Sequence, residues 1–282
     1  MAKLTRATER AKRALQPLAE RRADRAYART QPDGLDEWHD RARAFADSWV
    51  AAEAGPMPRD ENPLRGFFDG RTEGRGIWKW DHYFDLYHRH FERFRDSAVQ
   101  ILEIGIYSGG SLDMWHDYFG PGCRVYGVDT EAACVHYEDE TTRVFIGDQA
   151  DRAFWAMFRH EVPELDIVVD DGGHMPDQQA TSLEELLPHL RPGGVYVIED
   201  VHGVGNPFAA YVRGLVESLN AYEGIADYKD PERRKVSTTA GFQAWIDSIH
   251  NYPFATVIEK RRAPVGELVS PKHGTDWEPF FR

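Results

Sequence analysis

The sequence predicts an α/β fold, in which a doubly wound, mostly parallel seven-stranded sheet follows an N-terminal helical extension. Short apolar runs alternate with helical patterns from about residue 80 onward, which is typical of a parallel sheet covered by helices. Several of these runs end abruptly in carboxylates or glycines, as buried parallel strands do at their C-terminal ends. Ligands of such folds bind above those ends, so the functional residues are expected there.

The predicted elements follow in chain order. An aromatic-rich helix over Trp80–Arg95 leads into the first strand, and a helix over Phe208–Leu219 follows the fifth. Five strands are expected in the parallel part of the sheet, and two further strands after it, at Val99–Ile104, Arg124–Asp129, Val144–Ile146, Asp166–Asp170, Val195–Ile198, Phe254–Lys260 and Gly266–Ser270.

The N-terminal part differs from the rest in composition. Leu4–Ala28 and Leu35–Ala54 have helical apolar spacing, and the turn sequence Gln31-Pro32-Asp33-Gly34 separates them. Glycines, prolines and charges over Asn62–Ile77 suggest a loop that covers the active site. The predicted division is therefore residues 1–76 as a helical extension with a covering loop, and residues 77–282 as the main domain.

Composition excludes several classes of protein. The 282 residues carry 34 basic and 47 acidic side chains, a net charge of −13, which disfavours binding to nucleic acid or to an anionic membrane. No run approaches the roughly 18 apolar residues of a membrane span, and no apolar leader follows Met1. Cys123 and Cys134 have no metal or disulfide spacing. We therefore expect a cytoplasmic protein with reduced thiols.

A glycine-rich turn follows the first predicted strand. Glu103 ends this strand, and Gly105, Gly109 and Gly110 line the passage into the next helix, where glycine permits positive φ and close approach of a ligand. Asp129 ends the second strand about 20 residues later, at the spacing that suits the two hydroxyls of a ribose. The third strand ends in Gly147-Asp148-Gln149, in a position to meet an adenine edge. These residues predict a nucleotide-like cofactor, although such a turn can also serve packing alone.

A second group of polar residues follows the fourth and fifth strands. If these strands are neighbours, Asp171, Glu199 and Asp200 converge, with His174 one turn away. Clustered carboxylates repel one another, so a divalent cation is the expected partner, and oxygen ligands without cysteine favour magnesium, manganese or calcium over zinc. The simpler alternatives are a helix N-cap for Asp171 and a structural role for His174.

These segments carry a family resemblance. The chain resembles class I S-adenosylmethionine-dependent methyltransferases, whose fold is Rossmann-like, in Glu103-x-Gly105-x-x-x-Gly109-Gly110, Asp129, Gly147-Asp148-Gln149 and Leu190-Arg191-Pro192-Gly193-Gly194. Within that group it resembles the metal-dependent sugar O-methyltransferases of macrolide biosynthesis, of the mycinamicin and tylosin type, in Asp170-Asp171-Gly172-Gly173-His174, Glu199-Asp200, Lys79-Trp80-x-His82-Tyr83-Phe84 and His90-Phe91. The resemblance begins near Ile77, and the residues before it match no known pattern.

The resemblance implies a role for each group of residues. S-adenosylmethionine is expected to contact Glu103, Gly105, Tyr107, Ser111, Asp129, Asp148, Gln149 and Asp170. Mg²⁺ or Mn²⁺ is expected at Asp171, Glu199 and Asp200, with His174 as general base and with His202 and Tyr83 as acceptor contacts. The implied acceptor is a sugar hydroxyl of a glycosylated, antibiotic-type small molecule, and enzymes of this type tend to form homo-oligomers.

The chemistry suits these residue types. An alcohol is a poor nucleophile while it keeps its proton, and a magnesium ion bound to the acceptor oxygen stabilises the developing alkoxide. An imidazole titrates near neutral pH and suits removal of that proton. A vicinal diol, as in a sugar, is the natural chelating acceptor.

Four alternative functions stay open. A nicotinamide-dependent oxidoreductase shares the sheet, but it would show Gly-x-Gly-x-x-Gly directly after the first strand. A cofactor-binding subunit without catalysis would make His174 dispensable. A catechol-type methyltransferase also uses magnesium and a diol, but with Lys as base. A methyltransferase of the cephalosporin-hydroxylase-like branch would act on a non-sugar hydroxyl.

Overall fold

The computed structural model describes residues 35–50, 61–221, 235–271 and 273. The chain divides into two compact units, Met1–Pro58 and Arg59–Arg282. In the first unit, helix α1 (Leu35–Asp47) falls within the predicted helix of residues 35–54. The helix predicted over Leu4–Ala28 lies outside the described residues. The predicted boundary after residue 76 stays a prediction.

The second unit contains the seven-stranded, mostly parallel sheet that the sequence predicts. Its strands lie in the order β3-β2-β1-β4-β5-β8-β7. The first five are mutually parallel, whereas β8 is antiparallel to β5 and to β7. The strands are β1 (Gln100–Ile104), β2 (Arg124–Asp129), β3 (Thr142–Ile146), β4 (Leu165–Asp170), β5 (Leu190–Ile198), β7 (Ile246–Tyr252) and β8 (Ala255–Lys260).

Helices cover both faces of this sheet and enclose two apolar cores. One core packs side chains of α3 and α4 against the sheet, including Tyr87, Trp115 and Val169. The other packs α5, α6 and α7 against the opposite face, including Trp155 and Leu183. The helices are α2 (Pro63–Gly70), α3 (Tyr83–Phe91), α4 (Gly110–Phe119), α5 (Arg152–Glu161), α6 (Pro176–Leu186), α7 (Pro207–Leu219) and α8 (Gly241–Trp245), with 3₁₀ turns at Glu92–Phe94 and Ala132–Tyr137.

The segment Asn62–Ile77 is not the continuous loop that its composition predicts. It begins with helix α2, in which the Asn62 side chain accepts hydrogen bonds from the amides of Leu64 and Arg65. Pro63 stands at the first helical position, where its missing amide hydrogen costs nothing. The prediction was wrong here because an Asn-Pro pair starts a helix as readily as it marks a turn.

The seventh strand also differs from the prediction. Glu267–Ser270 (β9) pairs with Lys235–Thr238 (β6) in a separate two-stranded sheet. The outer position of the main sheet is taken by β7, which forms a hairpin with β8. The sequence of β7, Ile-Asp-Ser-Ile-His-Asn-Tyr, hides this role because an edge strand buries few of its side chains.

The three central strands bring the polar strand ends together. The amide of Asp171 donates to Ile104 O at 3.0 Å, and the amide of Glu199 donates to Asp170 O at 2.9 Å. The ends of β1, β4 and β5 therefore lie side by side at one edge of the sheet, as the sequence predicts. Among the described residues, no helix is both long and apolar enough to cross a membrane.

Candidate active site

A cavity of about 990 Å³ opens at the C-terminal edge of the parallel strands. Its walls include most of the predicted site residues, namely Glu103, Gly105, Tyr107, Ser111, Asp129, Gln149, Asp171, His174, Glu199, Asp200 and His202. The predicted residues Asp148, Asp170 and Tyr83 are not in these walls. The predicted cofactor side and the predicted metal side therefore share one cavity.

The glycines of the first turn serve close packing of the chain against itself. Gly105 has a φ of +82°, and a Cβ there would lie 2.1 Å from Asp171 O. A Cβ on Gly110 would lie 2.4 Å from Gly76 O. The backbone of Asp171 and of Gly76 therefore lies directly against these two glycines. This contact packs the end of β4 and residue 76 against the turn.

Asp129 lies where β2 ends and fixes the glycine turn. Its Oδ2 accepts hydrogen bonds from the amides of Ile106 and Tyr107 at 3.0 and 3.2 Å. Its Oδ1 accepts the amide of Glu131 at 2.9 Å. The carboxylate still faces the cavity, so it can hold the turn in shape and present an acceptor to a ribose hydroxyl.

Gln149 and Asp170 connect strand ends beneath the cavity. Gln149 Nε2 donates to Asp170 Oδ1 at 3.0 Å, and its Oε1 accepts the amide of Gly173 at 2.7 Å. Burial raises the pKa of Asp170 to about 6, although hydrogen bonds from Ser182 and Gln149 act in the opposite direction. This arrangement shapes the loop that carries His174.

Asp148 stands apart from that network. It is exposed, and its carboxylate accepts the amide of Ala150 at 2.8 Å. Its predicted contact with the cofactor stays a prediction, and the structure does not bring it to the cavity wall.

Lys79 is the residue that sequence reasoning missed. Its Nζ lies 2.6 Å from Asp171 Oδ2, 3.1 Å from Glu103 Oε1 and 3.3 Å from Glu199 Oε1, and its side chain is 3 % exposed. The only signal in the sequence was its position one residue before Trp80 in the segment that resembles the sugar enzymes. The buried acids thus surround a cation supplied by the chain itself.

The charge of Lys79 is set by these acids. Burial alone would lower its pKa, but the negative charges of Asp171 and Glu199 raise the pKa well above its usual range. Burial, together with the neighbouring Asp171, raises the pKa of Glu199. In this metal-free arrangement the ammonium of Lys79 offsets the repulsion between the carboxylates.

Asp200 and His174 face each other across the cavity wall. Asp200 accepts hydrogen bonds from Trp80 Nε1 at 3.0 Å and from Tyr83 OH at 2.9 Å. His174 Nε2 lies 3.7 Å from Asp200 Oδ2 and 3.9 Å from Asp171 Oδ1. Both His174 and Asp200 have a positive φ, of 56° and 57°. Such strained backbone is typical of functional positions.

The structure also defines the positions of Tyr83 and Asp171 relative to their neighbours. Tyr83 is fully buried behind Asp200 and also donates to Phe254 O at 3.1 Å, so it positions the acid rather than lining the cavity. Asp171 does not cap the following helix, because Met175 holds the N-cap position of α6.

The donor set fits a hard divalent cation. One ligand atom each from Asp171, His174 and Asp200 lies within 4.8 Å of the others. Among the described residues, His174 Nδ1 is buried without a hydrogen-bond partner, whereas Glu103 Oε1 faces the ammonium of Lys79 at 3.1 Å. The third predicted ligand, Glu199, accepts a hydrogen bond from Tyr87 and faces Lys79. Asp171 and Asp200 are thus the best-placed ligands, with Glu199 beside them.

Replacement of Lys79 by Met is expected to destabilise the metal-free protein. Removing one partner of a buried ion pair typically costs about 3–5 kcal/mol, because the remaining charges stay buried without compensation. A bound divalent cation would compensate in part, so Mg²⁺ should raise the melting temperature of this variant more than that of the wild type. Thermal unfolding with Mg²⁺ and with chelator checks this.

The matched control is Lys260→Met, since Lys260 Nζ donates to the backbone oxygens of Pro188 and Leu190. This variant should show the Mg²⁺ response of the wild type. An unchanged melting temperature for Lys79→Met in chelator would contradict the assigned role of Lys79.

Comparison with known proteins agrees with this site. A family profile described as a methyltransferase domain matches residues 102–201, which include the strand ends that form the cavity. A mycinamicin VI 2''-O-methyltransferase of Micromonospora griseorubida is 40 % identical over 209 residues, which are 72 % of this chain and 47 % of the relative. An 8-demethyl-8-α-L-rhamnosyl tetracenomycin-C 2'-O-methyltransferase of Streptomyces olivaceus is 32 % identical over 248 residues, 79 % of this chain and 63 % of the relative.

A solved structure supports the same grouping. MycE methyltransferase from the mycinamycin pathway, in complex with Mg, S-adenosylhomocysteine (SAH) and mycinamycin VI, superposes with a TM-score of 0.57 at 28 % identity and covers 72 % of this chain and 54 % of its own. The chain spans about half the length of the curated relatives it matches. From its fold, its family match and these relatives, the chain belongs to the class I S-adenosylmethionine-dependent methyltransferases, and the relatives named here are O-methyltransferases to which it is similar.

Proposed function

We propose that this protein is a magnesium- or manganese-dependent O-methyltransferase that transfers a methyl group from S-adenosylmethionine to a sugar hydroxyl of a glycosylated small molecule. The observation that carries the proposal is the position of His174 Nε2 between the carboxylates of Asp171 and Asp200, on the wall of the cavity that also contains Asp129. The relatives named above act on sugars of antibiotics, which supports the acceptor class.

The strand order supports separate cofactor and metal sides within the cavity. Strand β1 lies between β2, which carries Asp129, and β4, which leads to Asp171. A cofactor held by its ribose at Asp129 would therefore extend past Glu103 and Gly105 toward the acids. This direction would bring the methyl group of the cofactor close to the acceptor oxygen, beside the proposed base. In-line methyl transfer requires this proximity.

The proton-accepting residue in the proposal is His174. A divalent cation held by Asp171 and Asp200, with Glu199 beside them, would stabilise negative charge on the acceptor oxygen. His174 Nε2 then removes the hydroxyl proton, and the two carboxylates stabilise the imidazolium that forms.

An aromatic wall beside Asp200 suits the sugar of the acceptor. We define the wall as Trp80, His202 and Phe254, whose ring centroids lie 4.6 to 6.0 Å apart. All three side chains are partly exposed; Trp80 and His202 line the cavity, and Phe254 packs against both rings without lining it. The C–H faces of a sugar pack well on such rings, while its hydroxyls point to the acids. His202 thus keeps its predicted acceptor role, as a member of this wall.

Replacement of Phe254 by Ala is expected to raise the KM for the acceptor about 3- to 10-fold, because an aromatic contact contributes about 0.5–1.5 kcal/mol. The dissociation constant of S-adenosylmethionine should stay unchanged, since Phe254 is not in the cofactor side of the cavity. Steady-state kinetics and calorimetry check both. Trp245→Ala is the control, as Trp245 is similarly exposed but lies at the end of helix α8, outside the aromatic wall. Equal acceptor KM values for the two variants would contradict the assigned wall.

The proposed function is tested with methyl-labelled S-adenosylmethionine and paired acceptors, namely glycosylated macrolides or polyketides and the corresponding aglycones. We expect label on the glycosides alone, at a sugar oxygen, with Mg²⁺ and not with chelator. Two relatives with more distant similarity are trans-aconitate 2-methyltransferases, which makes a carboxylate acceptor the informative competitor. Label on trans-aconitate, or on aglycones in chelator, would overturn the proposal.

The assembly state is part of the proposal as well. By analogy with enzymes that this chain resembles, we expect a homo-oligomer, which light scattering coupled to size-exclusion chromatography measures. A monomer across the micromolar range would contradict this expectation.

A further inference from the structure

A second group of metal-ligating side chains lies outside the cavity. His90 ends helix α3, His250 lies in β7 and Glu259 lies in β8, and one ligand atom from each lies within 4.8 Å of the others. In the register of the sheet, Glu259 pairs with Val195, whereas the cavity lies beyond Ile198. Glu259 lies five positions from Phe254, whose ring packs against the cavity residues Trp80 and His202, and this spacing is about 17 Å at roughly 3.4 Å per residue. The cluster is therefore remote from the methyltransferase site.

The contacts of these side chains resemble those of metal-binding histidines. The imidazole of His90 is buried, with Nδ1 at 2.6 Å from Glu259 Oε1 and Nε2 at 2.9 Å from Tyr252 OH. His250 Nε2 lies 2.9 Å from Ser248 Oγ, which leaves Nδ1 as the atom for a ligand. Metal-binding histidines commonly have their second nitrogen held by such a partner, which fixes the ring orientation.

The cluster offers nitrogen and oxygen donor atoms close to one another. The rings of His90 and His250 approach with centroids 4.8 Å apart. Two imidazoles and one carboxylate in a partly buried pocket form a different donor set from the all-oxygen acids of the active site.

We propose that His90, His250 and Glu259 form a second metal site, selective for a borderline divalent ion such as Zn²⁺ or Co²⁺ over Mg²⁺. Imidazole nitrogen favours these ions, whereas oxygen ligands favour magnesium. Ligand atoms around tetrahedral zinc lie about 3.4 Å apart, since the bonds are about 2.0–2.1 Å. Binding would lengthen the 2.6 Å contact between His90 and Glu259 and bring the three ligand atoms, which now lie within 4.8 Å of one another, to this spacing, and water would complete the shell.

The position of the site indicates a structural consequence. Helix α3 carries Tyr83 and Tyr87, which hydrogen-bond the active-site acids, and its last turn carries His90. The β7–β8 hairpin accepts a hydrogen bond from Tyr83 at its turn and carries His250 on one strand and Glu259 on the other. A metal at this cluster would fasten α3 to the hairpin, so its main effect is expected on stability.

Arginines at the rim compete with the proposed metal. Arg93 Nη1 lies 3.2 Å from the same Oε1 of Glu259 that faces His90, and Arg89 donates to Tyr252 OH at 3.3 Å. Removal of the Arg93 side chain should therefore free the carboxylate and tighten binding of the ion. Arg93→Ala is therefore expected to bind the ion more tightly, whereas substitutions of the ligands themselves are expected to weaken binding.

The test is calorimetric titration of the full chain with Zn²⁺ in a large excess of Mg²⁺. We expect the wild type to bind one more equivalent of Zn²⁺ than His250→Ala, and Arg93→Ala to bind that equivalent at least threefold more tightly. His136→Ala is the control, since His136 is exposed and distant from the cluster in sequence and outside it in space. Zn²⁺ should also raise the melting temperature of the wild type and of this control.

Glu259→Gln is a second variant that we expect to lose the same equivalent of bound Zn²⁺. The test therefore does not depend on whether one variant folds. Identical Zn²⁺ stoichiometry and affinity in wild type, His250→Ala and Glu259→Gln would overturn the proposal. Because Mg²⁺ saturates the oxygen site throughout, this outcome is separate from any failure of the methyltransferase proposal.

Discussion

His174→Ala is expected to abolish methyl transfer while the affinity for S-adenosylmethionine stays nearly unchanged. The ring lies between Asp171 and Asp200, whereas the proposed ribose contact at Asp129 is separate. Loss of a general base lowers turnover by about 10²–10⁴-fold. Turnover with labelled methyl donor and calorimetric titration of the cofactor measure the two quantities separately.

His202→Ala is the matched control for this experiment, since the His202 imidazole also lies 3.7 Å from an Asp200 oxygen. It stacks on Phe254, however, with ring centroids 4.6 Å apart. We expect it to affect the KM for the acceptor more than kcat. Equal loss of turnover and cofactor affinity in His174→Ala would show a structural residue, and a larger loss of kcat in His202→Ala would transfer the base role to His202.

Asp171→Ala is expected to remove activity and metal dependence together. Asp171 is one of the two best-placed cation ligands, and it also contacts Lys79 at 2.6 Å. The ammonium keeps Glu103 and Glu199 as partners in this variant, so the fold should survive. Activity as a function of Mg²⁺ concentration, with thermal unfolding measured beside it, separates the loss of the metal from loss of the fold.

The control is Asp166→Ala, on the same strand as the site but at its other end, where the carboxylate binds Arg191 and the amide of Gln100. This variant should lose some stability and keep its response to Mg²⁺. Full activity of the wild type in chelator, or an Asp171→Ala variant with an unchanged Mg²⁺ response, would rule out the metal role.

The parallel half of the sheet could be predicted from sequence because each strand is an apolar run with a polar end. Register then places Asp171 and Glu199 side by side, two residues beyond the level of Glu103. The β7 edge strand and its pairing could not be predicted, since a strand with one exposed face and mixed polarity has no distinctive pattern. The start of helix α2 was hidden by an Asn-Pro pair that also occurs in turns.

The interior of the site shows a second limit of sequence reasoning. Lys79 contacts acids 92 and 120 residues away, and no spacing rule reports such a contact. Asp170 carries a motif-like residue type, yet its side chain lies outside the cavity wall and binds Gln149 and Ser182. Whether a polar side chain points toward a ligand or into the protein depends on packing, which a motif does not encode.

The most direct test of the account is calorimetric titration of S-adenosylmethionine and S-adenosylhomocysteine into the full chain, with Mg²⁺ and with chelator. The account predicts micromolar binding of both, because the proposed ribose side of the cavity at Asp129 does not depend on the metal. It also predicts that NAD does not bind. Absence of cofactor binding in both conditions, or binding of NAD in its place, would contradict the central claim.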